Sequence, residues 1–163
     1  MALITTIGGA LSDSFVTLAE YQTYGGAMGW TLGADDAADE VNLRRAALYL
    51  GRNYTFTGLK QYQVQALAWP RLVGGLVDDW PIDPDTIPQA IKNAQAELAY
   101  LIQGGLDPFA TIESVKTGDM IKVGPITIDE TTTPTARPRL VAIEGLLRPY
   151  IKSGAGQMAL SRG

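Results

Sequence analysis

Apolar residues recur at helical spacing over much of the chain. A first short helix is predicted from about residue 18 to about residue 28, because Thr17 and Glu20 have the Ser/Thr-x-x-Glu spacing that satisfies two orphan donors at a helix start. Gly25 and Gly26 weaken it, since glycine loses more backbone freedom on ordering than any other residue. A second helix is expected to begin at Asp35 or Asp36, whose carboxylates suit the positive helix end, and to run to about Asn53. Its predicted apolar face holds Val41, Leu43, Ala47, Leu48, Leu50 and Tyr54, which leaves Arg44, Arg45 and Arg52 for the surface. A third helix carries the stripe Ile91, Ala94, Leu98, Leu101 and Ile102. Thr86, Ile87, Pro88 and Gln89 offer it a capping box with proline inside the first turn, and Gly104 offers a stop. Leu140, Ile143 and Leu147 mark a last helix that ends before Pro149.

Between the second and third helices, residues 54–85 are rich in glycine, proline and aspartate. The pattern there predicts a short helix over about 61–68 and then an ordered loop, with Trp69 and Trp80 pinning that loop to the core. The stretch 65-QALAWPRLVGG-75 sets the largest apolar side chain beside a helix breaker and a permanent cation. Pro70 fixes its own φ and pushes residue 69 out of the α region, so Trp69 can anchor the core while Arg71 points away from it. The stretch reads as a hinge between packed elements.

After Gly105 the period changes to alternation. The segment 112-IESVKTGDMIKVGPITIDE-130 reads as a β-hairpin turning at Thr117, Gly118 and Asp119, and residues 131–138 as a polar connector. Residues 1–13 are expected to form a flexible or partner-dependent arm. Residues 152–163 have almost nothing to bury, and should be disordered alone. That tail nevertheless mixes apolar Met158 and Leu160 with cationic Lys152 and Arg162, which suits a groove on another chain. The expected fold is mainly α: a small bundle of about four helices spanning 14–151, one projecting hairpin near 112–130, and flexible arms at both ends.

Composition narrows the chemistry. A chain of 163 residues is expected to form one domain, large enough to bury roughly two thirds of its unfolded surface. With no cysteine there are no disulfides, thiol nucleophiles or thiolate metal sites, and with no histidine there is no Ser-His-Asp triad or ordinary zinc centre. No catalytic constellation is evident, so no catalytic, cofactor or metal residues are assigned. The aspartates of 78-DDWPIDPD-85 lack EF-hand spacing and read as turn and cap residues. Gly154 and Gly156 follow a helix and not a strand, and no Gly-Lys-Ser/Thr occurs, which argues against a nucleotide cradle. Lys60, Arg71 and Arg148 flank aromatic residues, an arrangement able to stack and neutralise single-stranded nucleic acid but found more often as rim or cation–π contacts. The net charge of −4 opposes a protein whose task is gripping phosphates. The N-terminus lacks the basic region of a signal peptide and no apolar run is long enough for a membrane span, so the chain is expected to be cytosolic where it is made.

Five strings occur in order: 14-SFVTLAE-20, 68-AWPR-71, 87-IPQAIKNAQAELA-99, 122-KVGPI-126 and 146-LLRPYI-151. Together they resemble the small head-to-tail connector, or adaptor, proteins of tailed bacteriophages, some of which are described as DnaT-like single-stranded-DNA-binding proteins. The resemblance covers residues 14–151 and leaves out the N-terminal arm and the glycine-rich tail. It implies a structural virion protein of the neck, present in the host cytoplasm during assembly and forming a ring, expected to be twelve-fold, below the portal. Its implied partners are further copies of itself, the portal protein and the downstream tail or neck protein. DNA would pass through without specific binding, and no membrane or cofactor is involved. In this family AWPR is a loop after the second helical element, which makes Trp69, Pro70 and Arg71 structural. The tail residues Lys152, Met158, Leu160 and Arg162 and the hairpin residues Lys116 and Lys122 are the candidate partner contacts. The alternatives are a single-stranded-DNA-binding replication accessory protein and a carboxylate-dependent enzyme.

Overall fold

A computed structural model describes residues 2–72, 75–77, 79–110 and 140–152, together with the backbone of residues 115–116, 122–123, 126–127 and 132–133. The chain divides into two compact units, one formed by Met1–Pro108 with Ala142–Gly163 and the other by Phe109–Val141. The fold is mainly helical, a small bundle with four helices among the described residues: α1 (Leu18–Ala27), α2 (Asp36–Asn53), α3 (Gln89–Gln103) and α4 (Val141–Leu147).

The expected capping box starts α1: the Thr17 hydroxyl accepts from the Glu20 N–H at 3.1 Å, and the Glu20 carboxylate accepts from the Thr17 N–H at 2.7 Å. Gly25 lies inside this helix for a steric reason, because a Cβ there would meet the Leu32 side chain at 3.0 Å. Asp35 caps α2 by accepting from the Ala37 N–H at 2.9 Å. The face of α2 differs from the expected one. Leu43, Ala46, Ala47, Tyr49 and Leu50 are buried, whereas Val41 and Leu48 are exposed. Those two residues are seven apart and share a turn-for-turn stripe with Arg45 and Arg52 on the solvent side. On α3, Ile91, Ala94, Leu98, Ala99 and Ile102 are buried and Leu101 is exposed. The predicted capping box at its start does not form. Pro88 is the N-cap and has no capping side chain, and the Thr86 hydroxyl is spent on the Asp83 carbonyl.

The main helical contact is α2 against α3. Buried at its centre is Gln95, fully enclosed. Its Oε1 accepts from the Phe15 N–H at 2.8 Å, while Nε2 donates to Ser14 Oγ at 2.7 Å and to the Leu43 carbonyl at 2.9 Å. One amide thus ties the segment before α1, the middle of α2 and the middle of α3 together. The segment before it is fastened as well. Residues 2–13, expected as an arm, contain no helix or strand, but the Asp13 N–H donates to the Ile4 carbonyl at 2.9 Å and Arg44 Nε donates to Asp13 Oδ2 at 2.6 Å. Gly8 has φ +69° and lies under the Tyr62 ring, where no side chain would fit.

The predicted helix over 61–68 is replaced by turns and two short antiparallel ribbons, β1 (Leu59–Lys60) with β2 (Arg71–Leu72) and β3 (Leu76–Val77) with β4 (Trp80–Pro81). Side chains do the work that a helical ladder would have done. Gln65 Oε1 accepts from the Tyr62 N–H at 3.0 Å, and its Nε2 donates to the carbonyls of Leu67 and Pro70 at 2.9 and 3.0 Å. In the second unit, β5 (Val115–Lys116) pairs with β8 (Thr132–Thr133), and β6 (Lys122–Val123) pairs with β7 (Ile126–Thr127). The hairpin near 112–130 is therefore present with a different register from the one expected. Val123 faces Ile126 and Val115 faces Thr133, so β5 does not pair with β6, and β8 falls within the stretch read as a connector; the turn expected at residues 117–119 lies outside the described residues. The residues that follow Lys152 lie outside the described ones.

Two side chains yield tests of this packing. Gln95→Leu keeps the volume but leaves the Phe15 N–H without an acceptor, and should lower stability by about 2–4 kcal/mol in denaturant melts; a loss below about 0.5 kcal/mol would show that water replaces the amide. Asp39, on the inner side of α2, is 1% exposed and its Oδ2 has no hydrogen-bond partner. Burial, with Asp36 and Asp35 adding like charge, raises its carboxyl above the ordinary carboxylate range. A raised carboxyl contributes stability that is present below the unfolded value and lost as pH rises through the folded one. Asp39→Asn should therefore melt higher than wild type at neutral pH, and the gap should close as pH falls through the carboxylate range.

Candidate partner-binding surfaces

The sequence 68-AWPR-71 builds a rigid loop. Trp69 is 1% exposed and meets Phe56 and Tyr150 edge to face, with ring centroids 5.8 and 5.7 Å away. Pro70 is also fully buried, and the Trp69–Pro70 peptide is cis. Arg71 does not point away from the packed elements as expected. Its Nε donates to the Thr57 carbonyl at 2.6 Å, Nη1 to Ala68 at 3.0 Å, and Nη2 to Gly58 at 2.7 Å and to Phe56 at 3.3 Å. A planar fork of donors suits such a ring of backbone acceptors, and half-burial holds the guanidinium below its ordinary pKa. The loop reaches residues 150–152 through residues 55–57. The Thr57 N–H donates to the Tyr150 carbonyl at 2.9 Å and the Lys152 N–H to the Thr55 carbonyl at 2.8 Å, either side of a Phe56–Ile151 bridge.

Trp80 corrects the second structural expectation. It is 77% exposed, on the β3–β4 ribbon, and pins nothing to the core. Asp79 beside it has φ 65°, a conformation that short polar side chains tolerate in a tight turn. Leu76 on the partner strand is exposed too, as are Asp83 and Asp85, and Asp85 accepts from Gln61 Nε2 at 2.6 Å. Of the tail and hairpin candidates, Lys152 is exposed at the end of the described chain. Lys116 and Lys122 lie on β5 and β6, which pair with other strands and not with each other, and their side chains are outside the described residues. Met158, Leu160 and Arg162 are also outside them.

The cations flagged beside aromatic rings are mostly occupied. Arg71 is spent on carbonyls, and Lys60 Nζ donates to the Gln65 carbonyl at 3.1 Å. Arg44, Arg45 and Lys92 pair with Asp13, Asp107 and Glu20 at 2.6, 2.8 and 2.9 Å. Arg52, Arg148 and Lys152 are exposed, and among the described residues they make no ion pair. The described residues contain no group of three or more acidic, histidine or cysteine side chains placed to hold a metal, and no helix among them is long and apolar enough to cross a membrane. An open cleft of about 350 Å³ lies at the end of α3, lined by Thr31, Tyr100, Leu101, Gln103, Gly104 and Leu106. Tyr100 is stacked there on Trp30 with centroids 4.5 Å apart. No carboxylate or amine lines this cleft, so it offers no acid–base pair.

Sequence reasoning passed over Gln95, Asp39 and Arg71's role as a backbone clamp. Polar residues on an apolar stripe were the available signal, since Asp39 and Gln95 fall at helical spacing among Leu43, Leu98 and Ile102.

Compared with known proteins, the whole chain, residues 1–163, matches the model of a family described as "Putative DnaT-like ssDNA binding protein". The chain belongs to that family. No curated protein and no solved structure matches it.

Arg71→Lys should destabilise the loop by about 1–3 kcal/mol, because an ammonium reaches fewer of the four carbonyls than the fork does. Trp69→Ala should cost about 3–5 kcal/mol. Urea melts check both, and equal midpoints for Arg71→Lys and wild type would show that water serves those carbonyls equally well.

Proposed function

We propose that the chain is a structural subunit of the phage neck: a head-to-tail connector that forms a ring, expected to be twelve-fold, below the portal, extends the DNA channel and receives the next tail component. The observation that carries this reading is the disposition of charge on the described helical unit. Five of its cations are committed to carboxylates or backbone carbonyls, and the whole chain is net acidic at −4. A wall that must let DNA slide past benefits from not gripping it. The Gln95 and Arg71 clamps supply the rigidity such a part needs, and the five strings that resemble connector proteins support the same assignment. The reading assigns no reaction to the chain. Its working place is the virion neck, reached from the host cytoplasm during assembly.

The family description favours a second reading, single-stranded-DNA binding as an accessory to replication. Exposed Trp80 and the unpaired Arg52, Arg148 and Lys152 are the groups that would stack and neutralise a strand. One pair of measurements separates the two. Under the connector reading, the chain cosediments with portal-bearing, tail-less heads, and deletion of residues 153–163 sharply weakens that attachment while leaving the melting temperature nearly unchanged. Its affinity for a labelled single strand is weak at physiological salt and indifferent to sequence. Submicromolar binding that persists at that salt, without attachment to heads, would replace the connector reading by the replication one.

A further inference from the structure

Two exposed features of the helical unit have opposite charge and no partner among the described residues. The first is the β3–β4 ribbon, where Trp80 is 77% exposed beside exposed Leu76, with Asp79 and Asp83 flanking it. Exposed tryptophan on a short ribbon contributes little to the fold that carries it, while tryptophan and arginine are the residues that most often dominate protein interfaces. The second lies where residues 150–152 bond to residues 55–57, and near there in the chain Arg52, Arg148 and Lys152 are exposed and make no ion pair among the described residues. In sequence, the residues past Lys152 carry one further cation, Arg162, and no carboxylate side chain.

We infer that the Trp80 ribbon is a docking surface for a second copy of this chain, and that the occupant is the basic surface around Arg148 and Lys152. Charge complementarity selects this occupant. An arginine laid on the indole face makes a cation–π contact, and the exposed carboxylates of Asp79 and Asp83, one residue before and three after Trp80 in the chain, supply the opposite charge. The two surfaces share no residue, so the contact is head to tail, and an open assembly keeps one free ribbon and one free basic end until a ring closes. The inference rests on the ring proposed above and names the surfaces that would make it. It also accounts for the exposure of Trp80 in a loop whose other tryptophan is buried.

Half-disabled copies test it. A ribbon variant, Trp80→Ala with Asp83→Asn, and a basic-end variant, Arg148→Glu with Lys152→Glu, change exposed positions and should melt like wild type by circular dichroism. Asp85 is left untouched because Gln61 depends on it. Wild type should assemble beyond the dimer in mass photometry and lose mass as salt rises. Each variant alone should be monomeric, and an equimolar mixture should stop at the heterodimer, because each variant keeps one intact half of the contact. Rings that persist in both variants overturn this inference and leave the connector reading standing. A wild-type chain that stays monomeric at its highest soluble concentration overturns the inference and removes self-assembly from that reading. Unchanged self-assembly with lost attachment to heads, or lost single-strand binding, also overturns it and reassigns Trp80 to the portal or to DNA.

Discussion

A single buried carboxamide decides how the helical unit closes. Gln95 stands at the α2–α3 contact, yet both ends of its amide are occupied, by Ser14 and Phe15 from the entry segment and by the Leu43 carbonyl of α2. Each group of the network left unsatisfied there would cost about 1–3 kcal/mol, which favours the register of the three segments that completes it. α1 follows directly from Phe15 and Val16, both buried, so its start is positioned by the same bonds.

The long connection between α2 and α3 solves a related problem by different means. It has two-residue ribbons in place of a longer ladder, and its backbone groups are met by Gln65 and Arg71. Arg71 also gathers the carbonyls of residues 56–58, next to the bridge between Phe56 and Ile151, so one guanidinium and one tryptophan join the backbone bonds that hold the loop to residues 150–152. What such a loop leaves outside is equally informative. Its acidic ribbon carries a tryptophan that the core does not need, while the cations of the same unit are largely consumed by internal bonds. The connector proposal rests on that contrast, since a nucleic-acid binder would be expected to display its cations.

Much of this was legible in the residues alone. The helices α1, α2, α3 and α4 lie close to where three-and-four spacing and the Thr17–Glu20 and Asp35 caps place them, because such signals are local: a cap needs only the next three residues. Burial of Trp69 was likewise legible, since a large side chain ahead of proline between two helices has few places to go. Tertiary structure alone decided the rest. Val41, Leu48 and Leu101 are as apolar as their buried neighbours, and which side of a helix faces inward depends on the partner helix and not on its own pattern. Trp80 and Trp69 are the same residue beside the same proline, one exposed and one enclosed, because Phe56 and Tyr150 come from distant parts of the chain to surround only the latter. The same limit applies to Arg71 and Gln95: a side chain's hydrogen-bonding capacity is written in its residue type, but its partners exist only after the chain has folded around it.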